Sequence, residues 1–169
     1  MPEKHARLSA SSAFRWLNCP GSVALADQCP AEPASAYADE GTLAHALAEL
    51  KLRKFLGEVT TKQFNARIKK IREDELYSGE MDEATDSYYD TVIETLAAAG
   101  DDAELMVEQS FSLTNWIPEG FGTSDAVVIG GSKIEVIDLK YGKGVEVSAE
   151  ANPQMRLYAL GALHQFGLQ

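Results

Sequence analysis

The sequence predicts an α/β (α+β) fold: a mixed sheet of three or more strands flanked by helices, with a helical N-terminal half. Apolar residues recur at helical spacing through the first hundred positions. After Asp102 the pattern changes to strand-like alternation, and helical spacing returns after Asn152. We expect 1–169 to form a single domain, with a helical part (1–100) followed by a three-stranded meander and one helix (101–169), because the length suits one domain.

Capping residues and breakers set the predicted boundaries. The Cys-Pro-Gly segment at 19–21 should kink or end the first helix. Thr60 or Thr61 is expected to cap the third helix, and Asn152 the last. The predicted helices cover residues 9–25, 41–55, 61–76, 82–99 and 153–166, and the predicted strands cover 105–113, 122–129 and 133–140, with a Gly130-Gly131 hairpin turn between the last two.

Composition excludes several classes of protein. The 45% hydrophobic and 24% charged shares are those of an ordinary soluble chain. No stretch approaches the roughly 20 apolar residues that span a bilayer, so no membrane role is expected. Residues 1–7 are charged and lack the apolar core of a secretory signal. With only Cys19 and Cys29 as cysteines, a reducing cytoplasmic location is expected.

Charge is unevenly distributed along the chain. The net charge of -11 argues against a nucleic-acid partner. However, eight cations and a single acid, Glu58, lie between positions 51 and 72, whereas positions 73–90 carry only acids. Three interpretations stay open: two solvated helix faces, a strip that attracts phosphates, or an acidic assembly protein that docks a partner or a second copy. The eight cations are Lys51, Arg53, Lys54, Lys62, Arg67, Lys69, Lys70 and Arg72.

Three residues of the predicted meander point to metal chemistry. Asp138 and Lys140 are two apart on a strand, so their side chains share a face while Leu139 points to the other. The hairpin turn folds the strand of Asp125 back beside them. Two close carboxylates repel unless a cation lies between them, and Mg²⁺ or Mn²⁺ suits such oxygen ligands. Taken alone, an Asp and a Lys at this spacing more often form a plain surface ion pair.

Several ordered motifs surround this triplet. Residues 122–125 (Gly-Thr-Ser-Asp), 138–140 (Asp-Leu-Lys) and 154–158 (Gln to Tyr) resemble the GxxD, DxK and QxxxY motifs of RecB-like nucleases of the PD-(D/E)XK superfamily. Upstream, residues 41–45 with Glu49 resemble the first motif of that family. The chain is similar to a poorly characterised phage and prophage family within it. The N-terminal resemblance lies in residues 9–12, Trp16 and 19–22.

The resemblance implies a restriction-endonuclease-like core and a set of site residues. His45, Asp125 and Asp138 would bind the metal with the Leu139 carbonyl, and Lys140 would be the catalytic lysine. From the residues alone, His45 could equally pack against the sheet.

Further residues are implied around this centre. Gln154 and Tyr158 share a helix face and would hold a phosphate or base, helped by free N–H groups of the first turn, although Tyr158 could equally be a core aromatic residue. Lys143 would touch DNA or be ordinary surface. Glu49 and Glu108 would support the metal ligands or face solvent, and for Glu108 we favour the solvent-facing reading.

The implied function is a Mg²⁺- or Mn²⁺-dependent deoxyribonuclease, in first place an exonuclease of phage DNA replication, recombination or end processing. DNA would be its partner, a helicase or recombinase a candidate second partner, and the cytoplasm of the bacterial host its location. The alternative is a non-cleaving DNA- or protein-binding module. Cys19 matches one iron-sulfur ligand of some relatives, but three later cysteines are absent, so this chain alone is not expected to bind a cluster. We interpret the chain as truncated at its C-terminus.

Overall fold

The computed structural model describes residues 6–29, 36–142 and 147–167. A 3-10 turn, Ala10–Ser12, precedes five helices, a three-stranded sheet and a last helix. The α/β class and the order of helices, meander and helix are confirmed. The elements are α1 Ala13–Asn18, α2 Gly21–Ala26, α3 Ala36–Phe55, α4 Thr61–Arg72, α5 Gly79–Ala98, β1 Glu104–Ser112, β2 Phe121–Gly130, β3 Lys133–Ile137 and α6 Pro153–Phe166.

The helix boundaries follow the capping residues. The break at Cys19 and Pro20 separates α1 from α2, as predicted. Thr60 and Gln63 form a reciprocal capping box at the start of α4. Ser78 caps α5, so that helix begins three residues before the predicted position, whereas α4 ends at Arg72 rather than Leu76. Within the described ranges, no helix combines the length and apolar character needed to cross a bilayer.

The three strands form one antiparallel sheet in the order β1, β2, β3. The prediction of a mixed sheet is therefore wrong for the described part of the chain. The connections between these strands are short, and a parallel pair would need a longer crossover. Gly131 adopts a φ of 57° in the turn between β2 and β3, a conformation that favours glycine.

Strand β3 is shorter than expected. It ends at Ile137, whereas the sequence pattern predicted a strand up to Lys140. The cause is a side chain of the neighbouring strand: Asp125 Oδ2 accepts a hydrogen bond of 2.6 Å from the Leu139 backbone N–H. That N–H is therefore bound by a carboxylate rather than by the backbone ladder.

The core lies on both sides of the sheet. Ala126 packs with Leu47, Met81 and Val92 against α3 and α5, whereas the next residue, Val127, packs with the cluster that includes α6. Successive strand residues point to opposite faces, which explains this division. Full burial of each large apolar side chain stabilises the fold by about 1.5–3 kcal/mol. The sheet is thereby held between α3 and α5 on one face and α6 on the other.

Candidate active site

The candidate site lies where β2 and β3 stop pairing. Ala126 and Ile137 are the last paired residues at this end of the two strands. The same register continued by one residue would set Asp125 opposite Asp138. The Leu139 side chain is 6% exposed and packs in the cluster of α3 and α5. Asp138 and Lys140 form an ion pair with each other, so their side chains do lie together.

Helix α3 contributes His45. Its Nδ1 lies 3.0 Å from Asp125 Oδ1. This hydrogen bond raises the pKa of His45, and burial opposes the rise. The imidazole remains 36% exposed, whereas the Asp125 side chain is only 15% exposed. His45 is thus held by a carboxylate of the site rather than merely packed against the sheet.

Asp138 is the most buried carboxylate of the group, with 4% of its side chain exposed. Burial raises its pKa above the ordinary value, the Lys140 ammonium opposes this, and the charge of Asp125 adds to it. Its Oδ2 is buried, and the Lys140 ammonium lies in ion-pair contact with it. This oxygen can accept a further partner of positive charge.

Gln154 on α6 connects the site residues to one another. Its Nε2 donates to Asp138 Oδ1 at 3.3 Å and to the Tyr158 hydroxyl at 3.1 Å. Its Oε1 accepts from Lys140 Nζ at 3.1 Å. Burial raises the pKa of Tyr158 to about 12, so its hydroxyl stays protonated near neutral pH. Gln154 therefore holds the side chains of both Asp138 and Lys140.

One expectation about α6 is wrong. The N–H groups of its first turn were predicted to be free for an anion. Instead, Asn152 Oδ1 accepts from the backbone N–H of Gln154 at 2.9 Å and of Met155 at 3.2 Å. The same cap that starts the helix thus occupies these donors.

Glu108 lies beside the site rather than in solvent, contrary to the favoured prediction. Its φ of 54° interrupts β1 at the position opposite Asp125, between the pairs formed by Val107 and Gln109. Its carboxyl is half-buried. Burial, followed by the charges of Asp125 and Glu49, raises its pKa to about 7. A non-glycine residue in this conformation costs about 1–3 kcal/mol and is often found at functional sites.

Glu49 and Lys143 were also predicted to lie around the site. Glu49 is bound by Arg53, whose Nε donates to Glu49 Oε1 at 2.5 Å. Arg53 also donates to Glu58 at 2.6 Å. Lys143 lies outside the described residues, and its role stays a prediction, as does that of the Leu139 carbonyl.

A protein-family model matches nearly the whole chain. The family model described as "Protein of unknown function (DUF2800)" matches residues 5–169. The chain belongs to the DUF2800 family. No solved structure matches it.

Sequence reasoning missed one residue of the DUF2800 chain, Tyr88 on α5. It is 7% exposed, and its hydroxyl is buried without a hydrogen-bond partner among the described residues. Burial raises its pKa, and the charges of Asp125 and Asp138 raise it further. The spacing of Thr85, Tyr88 and Val92 marked a buried helix face. Only the packing of α5 against β2 brings that hydroxyl towards the carboxylates.

The candidate site of the DUF2800 chain carries side chains of the types that bind divalent cations. Two carboxylates and an imidazole are suitable ligands for Mn²⁺, although Asp138 Oδ2 already lies in ion-pair contact with the Lys140 ammonium. Within the described ranges, however, no three His, Cys, Asp or Glu side chains already form a metal-binding group. Asp125 is held by His45 and Leu139, and Asp138 by Lys140. The donor types fit, and binding would require these contacts to rearrange.

Proposed function

We propose that this chain is a Mg²⁺- or Mn²⁺-dependent deoxyribonuclease of the PD-(D/E)XK type that hydrolyses phosphodiester bonds. An exonuclease is favoured over an endonuclease. The observation that carries the proposal is the convergence of Asp125, Asp138 and Lys140 at one end of the sheet, with His45 beside them. The three antiparallel strands between α3 and α6 would then be part of a restriction-endonuclease-like core.

Each residue would have a separate task. Asp125, Asp138 and His45, with the Leu139 carbonyl, would hold the cation. When bound, the metal would polarise the phosphodiester and lower the pKa of a water. The Lys140 ammonium would offset the charge that develops on the phosphate.

Gln154 would keep this centre in order. It bridges Lys140 and Asp138 through its two amide atoms. A residue that fixes both partners reduces the reorganisation needed when substrate binds. Tyr158 is 5% exposed and packs in the core cluster of α6, as the core-aromatic alternative predicted; it would therefore support Gln154 through the same amide rather than contact the substrate. The proposed setting is phage DNA replication, recombination or end processing in a bacterial host cell, with a helicase or recombinase as a candidate partner.

The test is DNA cleavage by the purified chain. End-labelled DNA with Mn²⁺ should be cut, and Asp138→Asn and Lys140→Met should each abolish cutting. The matched controls are Asp101→Asn and Lys133→Met, which make the same changes at exposed positions outside the site. Circular dichroism would verify that all four variants fold. Cleavage by Asp138→Asn or Lys140→Met at the rate of the unaltered chain would refute the proposal.

A second candidate function is a non-cleaving DNA-binding module. It is favoured by the contacts that occupy both carboxylates within the protein itself. Such a module would bind DNA equally well with and without EDTA, and Mn²⁺ would give no heat of binding in calorimetry. A nuclease would give a Mn²⁺ binding isotherm that Asp138→Asn weakens.

A further inference from the structure

The structure divides the basic strip, defined as the eight cations between positions 51 and 72, into cations with and without partners. Lys51, Arg53, Lys69 and Arg72 form ion pairs with acidic side chains. Lys54 Nζ donates to Thr61 Oγ1 at 2.9 Å. Within the described chain, no acidic side chain pairs with the three that remain: Lys62, Arg67 and Lys70.

Two of these unpaired cations line a groove between α3 and α4. The groove has a volume of about 260 Å³, and its lining includes Leu50, Ile71, Arg67 and Lys70. Arg67 and Lys70 are three apart on α4 and therefore lie on one side of that helix. Both are exposed. Helix α4 carries five cations and no acid, which gives this surface a positive charge on a chain that is acidic as a whole.

The groove begins beside the candidate active site. Its lining includes Ala46 and Glu49 of α3. Glu49 is four residues after His45, so these two side chains lie on the same face of α3, about 6 Å apart along the helix axis. A polyanion lying in the groove would therefore pass next to His45.

We infer that the groove between α3 and α4 binds the sugar-phosphate backbone of a DNA strand, with Arg67 and Lys70 as its phosphate contacts. This inference rests on the proposed function, because a nuclease must hold the strand beyond the bond that it cuts. Unpaired Arg and Lys side chains are the usual ligands of backbone phosphates.

A second, larger groove is less suitable. It has a volume of about 520 Å³, and its lining includes Phe64, Lys51 and Arg72. Both of these cations are paired with Asp82, which also lines the groove. A phosphate there would have to compete with a carboxylate that is already bound.

The smaller groove also contains a bound ion pair, that of Arg53 with Glu49. It differs from the larger groove in its two further cations, Arg67 and Lys70, which pair with no acidic side chain among the described residues. The charge thus favours the smaller groove as the DNA path.

The experiment measures DNA binding by fluorescence anisotropy with the full chain in EDTA, so that cleavage cannot interfere. It compares Arg67→Gln/Lys70→Gln with Lys69→Gln/Lys133→Gln. Both double variants lose two positive charges, but Lys69 is an exposed partner of Glu73 and Lys133 begins β3. We expect the groove variant to weaken binding about tenfold and to lower the salt dependence by about one unit per cation. The control should stay within about twofold.

The results of these measurements distinguish a failure of the groove from a failure of the proposed function. Equal Kd values and equal salt slopes for the two double variants would overturn the inference. The inference would also be overturned if the groove variant lost poly-glutamate binding to the same extent as DNA binding, because the groove would then bind acidic chains in general. If the groove variant alone weakens DNA binding but the unaltered chain never cuts DNA with Mn²⁺, the groove stands and the proposed function fails. If the groove variant cuts and binds DNA as the unaltered chain does, the groove fails and the nuclease stands.

Discussion

His45 Nδ1 and Asp125 Oδ1 lie 3.0 Å apart, although 80 residues separate them along the chain. This contact joins α3 to β2 at the point where β3 leaves the sheet. Asp125 uses its other oxygen to bind the Leu139 N–H. One carboxylate therefore positions both an imidazole and the segment that carries Asp138 and Lys140.

Replacement of the imidazole should weaken metal binding. We expect His45→Ala to lower Mn²⁺ affinity by about tenfold or more, because it removes a nitrogen donor and one of the two contacts that hold Asp125. Isothermal titration calorimetry measures this. The matched control is His164→Ala on α6, whose imidazole contacts Asn115 and Trp116. Equal Mn²⁺ affinity for both variants would contradict the proposal that His45 is a metal ligand.

A methyl group at Gly122 should crowd the buried ring of Tyr158. A Cβ there would lie 2.5 Å from Tyr158 Cε1 and 3.2 Å from the Ala10 Cβ. We expect Gly122→Ala to lower the free energy of unfolding by about 1–3 kcal/mol, because a buried ring must shift. Urea unfolding measures it. Gly79→Ala is the control, since a Cβ there meets nothing within 4 Å. If Gly122→Ala is as stable as Gly79→Ala, a Cβ at position 122 does not crowd the Tyr158 ring as described.

The hydroxyl of Tyr88 should be unnecessary for folding. It is buried without a hydrogen bond in the described structure, and an unsatisfied buried polar group costs about 1–3 kcal/mol. Tyr88→Phe should therefore raise the free energy of unfolding by on the order of 1 kcal/mol, whereas Tyr89→Phe, on the adjacent and less buried residue, should change it by less than about 0.5 kcal/mol. Destabilisation by Tyr88→Phe in urea would mean that the hydroxyl is satisfied after all.

Asp82 should make stability depend on acid pH. The hydrogen bond from Lys51 is the main cause that lowers its pKa to about 2, while burial opposes it. A lowered pKa means that the carboxylate stabilises the fold fully above its ordinary value of 3.8. That contribution is lost as the pH falls through about 2.

The variant Asp82→Asn tests this assignment. It should cost about 1–3 kcal/mol near neutral pH, since it weakens charged hydrogen bonds from Lys51 and Arg72. The difference from the unaltered chain should shrink between pH 3.8 and 2. Asp90→Asn, at an exposed position of the same helix, is the control for loss of charge. A difference that stays constant with pH would argue against the assignment.

Local signals predicted the elements well. Thr60 and Asn152 begin α4 and α6 at the predicted positions, because a cap bonds to residues only two or three positions away. The end of β3 was not predictable in this way. It depends on Asp125, which lies 14 residues from Leu139 and bonds to it across the sheet.

Residue spacing was enough to predict the order of helices and strands, the shared side of Asp138 and Lys140, and the shared helix face of Gln154 and Tyr158. These relationships depend on the spacing of near neighbours. Spacing could not predict that His45 meets Asp125, that Glu108 lies beside them, or which cations of the basic strip have acidic partners. Those contacts form when helices pack on a sheet, and the distances that result depend on the whole core rather than on any local pattern.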